Sequence, residues 1–299
     1  MVVRSDHTAT HPPAKTRGSR PLPVGILTLA VVLVVLAVVV VLVVIELTGT
    51  TYLGLTKNIQ QAPAALVQEV TTIPAAAFDA VGDPSAPLLA PPAVLESQPA
   101  LLLDRKPTVV WVGALYNPYS AAERWALVIA LGRFGTFEKL YTTTSSASEV
   151  FGGTATFSFD GADYRSSTVS LAAVEEYGNT SSALAPPGYE KLQNPTGFES
   201  DAVRSYDKSP WADPGDLPFL DVANRIVVSG STFSPAIIGG LSMQQIATDL
   251  TVPGGQVAQA LLGAADQITA AVCAATGQTP ASVCSSPAVA QTSDQLGLR

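Results

Sequence analysis

The sequence predicts an α/β domain, with a central mixed sheet and packed helices, behind one N-terminal transmembrane helix. Three observations carry this expectation. From Val24 to Ile45 the chain reads VGILTLAVVLVVLAVVVVLVVI without a charge. Around Trp111, a short apolar strand, a helix opened by Asn117-Pro118 and the run Lys139–Thr144 form a strand–helix–strand unit. Further on, Leu217–Val222 and Arg225–Gly230 read as a strand pair around Ala223-Asn224, followed by helices as far as Thr276.

The apolar run comes first in the chain. At about 1.5 Å per residue it makes a helix of about 33 Å, enough for a hydrocarbon core of roughly 30 Å. Valine is a mediocre helix former in water, but lipid leaves the backbone no partners except its own carbonyls. A cleaved signal peptide has an apolar core of only about 7–15 residues and a small-residue cleavage site, whereas here Glu46-Leu47-Thr48-Gly49-Thr50 follows. Arg4, Lys15, Arg17 and Arg20 precede the run, and Lys57 is the only basic residue between it and Arg105. The positive-inside bias therefore places residues 1–23, a disordered tail with Pro12, Pro13, Gly18, Pro21 and Pro23, in the cytoplasm. Residues 46–299 then lie outside a cell membrane that the chain crosses once.

Composition excludes several chemistries. The chain of 299 residues is 47% hydrophobic and 13% charged, with a formal charge of −8. Residues 1–20 carry +3, so the remainder is strongly acidic and lacks the basic runs that nucleic acid demands. The only histidines, His7 and His11, sit in the N-terminal tail, which removes Ser-His-Asp and Cys-His hydrolysis and His-ligated zinc from the exported part. Two cysteines, Cys273 and Cys284, are too few for a four-cysteine zinc site. No cofactor and no metal is expected. The alanine-rich, lysine-poor composition hints at a GC-rich bacterial genome.

Residues 46–105 hold seven prolines and read as a Pro/Ala-rich stalk, partly docked through a short helix with Leu66 and Val70 on one face, and through Phe78 and Val81. The domain proper is expected over 106–285. Thr108–Gly113 has the character of a strand buried on both faces. Asn117 is a favourable N-cap and Pro118 suits the first helical position, so a helix runs from Tyr119 to about Arg133 and buries Ala121, Trp125, Val128, Ile129 and Gly132. The strand–helix–strand order makes Lys139–Thr144 a parallel neighbour of the first strand. Thr154–Phe159 and Tyr164–Val169 flank Asp160-Gly161, a hairpin signal. A short helix is expected from Ala172 to Tyr177, then an irregular excursion over 178–216. Helices follow over Leu241–Leu250 and Val257–Thr276, the second stopped by Gly277, and residues 286–299 form a flexible C-terminal tail.

The run Trp111-Val112-Gly113-Ala114-Leu115-Tyr116-Asn117-Pro118-Tyr119-Ser120-Ala121-Ala122-Glu123-Arg124-Trp125-Ala126-Leu127 resembles the membrane-anchored, thioredoxin-like family catalogued as domain of unknown function 929. Members of that family typically read G-A-x-Y-C-P-Y-C-A-A-E-R-W-A-L here, followed by a pair like Phe134-Gly135. Ile73-Pro74, Phe157-Ser158-Phe159, Leu217-Pro218-Phe219 and the cysteines 273 and 284 extend the resemblance over roughly residues 65–285. It implies a thioredoxin-like domain in which the loop before the first helix faces a cis-proline, for which Pro218 is the candidate, with an extended peptide docking between them. Tyr116, Tyr119 and Pro218 are then the candidate groove.

The departure from that pattern decides the expected function. Where the family has its C-P-Y-C motif, this chain has Asn117-Pro118-Tyr119-Ser120. Exchange needs a thiolate, which a helix N-terminus favours; an amide forms no disulfide, and a serine without a base is no nucleophile. Catalytic residues are therefore not expected. Cys273 and Cys284 bracket a loop outside the membrane and read either as a staple or as a displaced redox pair. Glu123 and Arg124 are expected in surface ion pairs, and Glu175-Glu176 and the pair Asp213/Asp216 as solvated loop acids. Asn179-Thr180-Ser181 matches a glycosylation sequon. Three readings result: a redox-inactive binding or accessory module with a protein or extended-peptide partner, a thiol–disulfide oxidoreductase or isomerase of the cell envelope, and a structural subunit of a membrane complex.

Overall fold

A computed structural model of the chain describes residues 58–81, 89–182, 187–252 and 254–298. The readings of residues 1–23 as a cytoplasmic tail and of 24–45 as a membrane span lie outside the described residues. The chain opens with β1 (Gln60–Gln61), α1 (Ala64–Thr71) and α2 (Ala75–Val81). Leu66 and Val70, one helical turn apart, are buried, as are Phe78 and Val81. Over residues 60–81 the expected stalk is thus part of the core, because both helices carry an apolar stripe that must be covered.

After β2 (Ala93–Val94) and β3 (Leu102–Leu103) comes β4 (Lys106–Gly113), the centre of the main sheet. Its helix α3 (Pro118–Gly132) leads into β5 (Thr136–Thr144), β6 (Ala155–Arg165) and β7 (Ser170–Glu175). A short pair, β8 (Tyr177–Ser181) and β9 (Tyr189–Lys191), precedes α4 (Gly197–Tyr206). Then come β10 (Phe219–Val222) and β11 (Ile226–Ser229), and the helices α5 (Met243–Asp249), α6 (Gln256–Ala275), α7 (Ala281–Cys284) and α8 (Pro287–Leu296).

The molecule is mixed α/β. β4 pairs in parallel with β7, from Thr108 opposite Ser170 to Gly113 opposite Glu175, and antiparallel with β10, Val112 opposite Phe219. β11 and β2 extend the sheet beyond β10. Ala223 and Asn224, both at positive φ (52° and 55°), make the tight β10–β11 turn whose twist suits antiparallel strands. Alternation sorts the sheet's two faces. Val109, Trp111, Leu220 and Val222 join the large core with α3 and α6, whereas Val110, Val112 and Phe219 meet Ala202 and Val203 of α4. Gly132 marks the contact of α1 on α3: a Cβ there would lie 2.6 Å from the Thr71 Cβ.

Four expectations are corrected. β5 is not the parallel neighbour of β4; it lies between β1 and β6 in a separate antiparallel sheet. Only Leu140 and Thr143 of its nine residues are buried, which suits a largely wetted antiparallel sheet and not a central parallel strand. The parallel partner is β7, expected as a helix because alanine and glutamate favour helices; pairing with β4 overrides that preference. Asp160-Gly161 is not a hairpin turn but a bulge inside one continuous strand: the register jumps between Lys139↔Asp163 and Tyr141↔Ser158, with Gly161 at φ +80°. The C-terminal stretch is not a tail. α8 buries Ala288, Val289 and Thr292, and the amide of Ala288 in its first turn donates to Asp79 Oδ1 at 3.1 Å.

Within 178–216, the expected excursion contains β8, most of its residues included, β9 and α4, the last opened by a capping box between Thr196 and Glu199. α6 is long and apolar enough to cross a membrane by length and composition, but 83% of its apolar window is buried inside the domain.

Candidate functional site

The site is built around the start of α3. Asn117 Oδ1 accepts the amides of Tyr119 and Ser120 at 2.8 and 3.0 Å, satisfying two of the donors that a helix start leaves open. Ser120 is fully buried, and its Oγ lies 3.4 Å from the Ala114 amide that donates to it. The two polar groups thus hold the turn together by neutral hydrogen bonds. Neither has a base beside it, and no thiol is present to be activated.

Glu123 and Arg124 are not surface residues. Both are completely buried, as is Glu175, which sits at the end of β7 rather than in a loop. Arg124 donates to both Glu175 oxygens (Nε to Oε1 2.8 Å, Nη2 to Oε2 2.7 Å) and from Nη2 to the Ala114 carbonyl at 2.8 Å. Glu175 Oε1 also accepts the Phe159 amide at 3.2 Å. This forked pair ties α3, β7 and the loop below the motif to one another. In a dry interior its Coulomb gain is offset by desolvation, so it fixes geometry more than it adds stability. Glu123 faces elsewhere. Its Oε2 accepts the Thr232 amide and hydroxyl and the Ser231 hydroxyl, at 2.9, 2.8 and 3.3 Å. Burial pushes its pKa above the ordinary carboxylate range, and these three donors pull it back only in part.

The signal for this burial was in the sequence. Apart from Glu123 and Arg124, the span Ala121–Leu131 is apolar on every side, and a helix apolar all round is enclosed, so its charges must be enclosed with it.

In front of the helix start lies an open groove. One hollow, of about 430 Å³, is lined by Tyr116, Asn117, Tyr119, Asp213, Leu217 and Ser231, among others. A second, of about 410 Å³, continues past Tyr116 and Leu217 to Tyr177, Asp207 and Phe219. The Tyr116 ring is stacked on Tyr189, centroids 4.1 Å apart and planes within 3°, and meets Tyr177 edge-on at 6.1 Å. Tyr189 is anchored in turn by donating its hydroxyl to Glu149 at 2.6 Å. Tyr119 is half-buried with its ring edge-on to Phe151. Pro218 immediately precedes β10; the Leu217–Pro218 peptide is cis, and the Pro218 carbonyl accepts the Gly230 amide at 2.8 Å. Tyr116 and Tyr119 line the groove, whereas Pro218 is buried and its neighbour Leu217 lines it instead; the acids Asp213 and Asp216 join them, which composition alone could not place there.

The cysteines lie apart from the groove. Cys273, in the last turn of α6, is bonded to Cys284 of α7, with their Cα atoms 5.5 Å apart. Cys273 is 1% exposed and Cys284 5%. The sequon residue Asn179 spends its side-chain nitrogen on Thr143 Oγ1 (3.1 Å) and the Thr144 carbonyl (2.8 Å), which leaves it poorly disposed to carry a glycan.

Fold and site together define a mixed α/β domain whose central strand feeds an asparagine-capped helix at the mouth of a groove. The family described as Domain of unknown function (DUF929) matches residues 94–274, more than half of the 299-residue chain, and the chain belongs to that family. The match runs from β2 to the last turn of α6, so the cysteine partner Cys284 and the helices α1, α2 and α8 lie outside it. No curated protein and no solved structure matches the chain.

Proposed function

We propose that the chain is a single-pass membrane protein whose extracytoplasmic part is a thioredoxin-like, redox-inactive domain acting by binding an extended peptide or protein segment. The strand order supports the thioredoxin-like reading: a parallel β7–β4 pair flanked by antiparallel β10 and β11, with α3 and α6 on one face and α4 on the other. The observation that carries the functional reading is the Asn117–Ser120 turn. Its two polar side chains are consumed in capping and packing, and the open groove beside them remains. Without a thiol the site has no covalent step, but backbone groups near Leu217 and the rings of Tyr116 and Tyr119 are still available to an extended chain. The burial of Cys273 and Cys284 favours the staple over the displaced redox pair.

The test uses the full chain purified in detergent. It should not reduce insulin, and Tyr119→Ala should lose co-purifying partners while thermal unfolding stays within a few degrees of the parent. Unchanged recovery with a folded variant would move the binding surface elsewhere. Insulin turnover abolished by Cys273→Ser would restore the oxidoreductase reading.

A further inference from the structure

We propose that the groove beside Tyr116 selects a cationic extended segment of a partner protein, with Asp207, Asp213 and Asp216 as its charged contacts. This rests on the peptide-binding reading above and names the chemistry of the partner. The two hollows share Tyr116, Gly215, Asp216 and Leu217, so they adjoin as one groove with Asp216 on the wall common to both. Among the described residues, every charged residue that lines it is acidic: Asp213 in the first hollow, Glu176 and Asp207 in the second, and Asp216 in both.

The molecule already holds one cation against this wall. Lys191 Nζ lies 2.9 Å from Glu176 Oε1 and 4.2 Å above the centre of the Tyr177 ring, a carboxylate on one side and an aromatic face on the other. Glu176 is therefore compensated from within. The other three are not: among the described residues, none of Asp207, Asp213 and Asp216 has an ion-pair partner. Asp207 accepts the Gly215 amide with Oδ2, while its Oδ1 is buried without a hydrogen bond. Burial and the neighbouring Asp216 both raise its pKa. Like charges crowded against a half-buried acid are relieved by a ligand cation.

An extended segment suits two adjoining hollows. Alternate side chains of a strand point the same way, so basic residues two apart can enter the hollows on either side of Asp216 while the backbone passes Leu217. Tyr116 and Tyr119 supply faces for the aliphatic stems and the charged heads.

The experiment titrates the full chain with two fluorescent, end-blocked peptides, one alternating lysine with threonine and one alternating glutamate with threonine. The lysine peptide should bind roughly tenfold more tightly, with the preference shrinking as salt is raised, as expected for several partly exposed ion pairs. Asp213→Lys with Asp216→Lys, both at exposed positions, should reverse the preference while thermal unfolding is unchanged. A lysine preference that survives the charge reversal overturns the proposal. Equal binding of both peptides, lost in Tyr116→Leu, overturns the charge assignment but leaves the groove standing. Binding of neither peptide removes both.

Discussion

Asp221 illustrates how one buried carboxyl shapes the molecule's response to pH. It sits in β10 on the face turned toward α4, fully buried, with Oδ1 accepting the Asn224 amide at 2.7 Å and Oδ2 bonded to nothing. Burial pushes its pKa from 3.8 to about 7, against the opposing pull of the Asn224 hydrogen bond. A carboxyl raised on folding holds its proton more tightly in the folded chain. Its contribution to stability is therefore fully present below about pH 4 and is lost as pH rises through about 7. Asparagine keeps the acceptor for the turn but cannot ionise. Denaturant unfolding should show Asp221→Asn gaining on the parent by on the order of 2–4 kcal/mol between about pH 4 and pH 8. A gap independent of pH would mean that Asp221 titrates normally. The same physics explains why residues were the hardest part to read from sequence. Glu123, Arg124 and Glu175 look like surface charges by type; the apolar run around the first two signals that they are enclosed, but only the three-dimensional closure of α3 against β7 pairs Arg124 with Glu175 and leaves Glu123 to the Thr232 segment. Asn117, by contrast, was legible because capping is local: its partners lie two and three residues away.

The elements with strong local signals stand where the sequence puts them. α3 begins at its Asn-Pro cap, α6 follows its apolar periodicity, and β10 and β11 flank the Ala223-Asn224 turn. Sequence and structure part where one signal has two structural meanings. Asp-Gly tolerates positive φ in a hairpin turn and in a bulge alike, and the ladder with β5 chose the bulge. Ser170–Glu175 carries helix-forming residues, but the buried edge of β4 needed a partner. At the C-terminus, α8 was invisible because its stripe is short and its first turn is completed by Asp79, more than two hundred residues earlier. That docking gives the disulfide its role. It closes the loop between α6 and α7 just before α8 packs on α6, and Arg133 reaches Asp266 of α6 at 2.7 Å and Ser286 at 3.3 Å from the same side. Losing the bridge through Cys273→Ser with Cys284→Ser should cost about 2–3 kcal/mol, the loop-entropy value for so short a segment. Native-state hydrogen exchange should localise the loss to α7 and α8, with α3 and β4 retaining their protection relative to global unfolding. A loss spread evenly over the domain would instead make the bridge a general restraint.

Taken as a whole, the molecule offers two stretches that satisfy a simple membrane test, and they have opposite consequences. One is the uncharged run at 24–45; the other is α6, at 256–275. In the described domain α6 is a core helix, its Leu261, Leu262, Ala265, Ile268 and Val272 enclosed by the central sheet, α3 and α8. It also carries Asp266, whose partner Arg133 caps the C-terminal end of α3 with its guanidinium 4.2 Å from the centre of the Phe78 ring. Moving α6 into lipid would strip that carboxylate of its partner and expose the apolar faces of α3 and β10, so the fold and a span at α6 exclude each other. A single crossing at 24–45, with basic residues before it and an acidic domain after it, has neither difficulty. The two possibilities differ in a measurable way. Reporters that work only outside the cytoplasm, fused after Gly254 and after Arg299, should both be active if the crossing is at 24–45 alone. A span at α6 would place those two fusion points on opposite sides, so one reporter would be active and the other silent. Two silent reporters would put the whole domain in the cytoplasm, and the extracytoplasmic reading would fall with them.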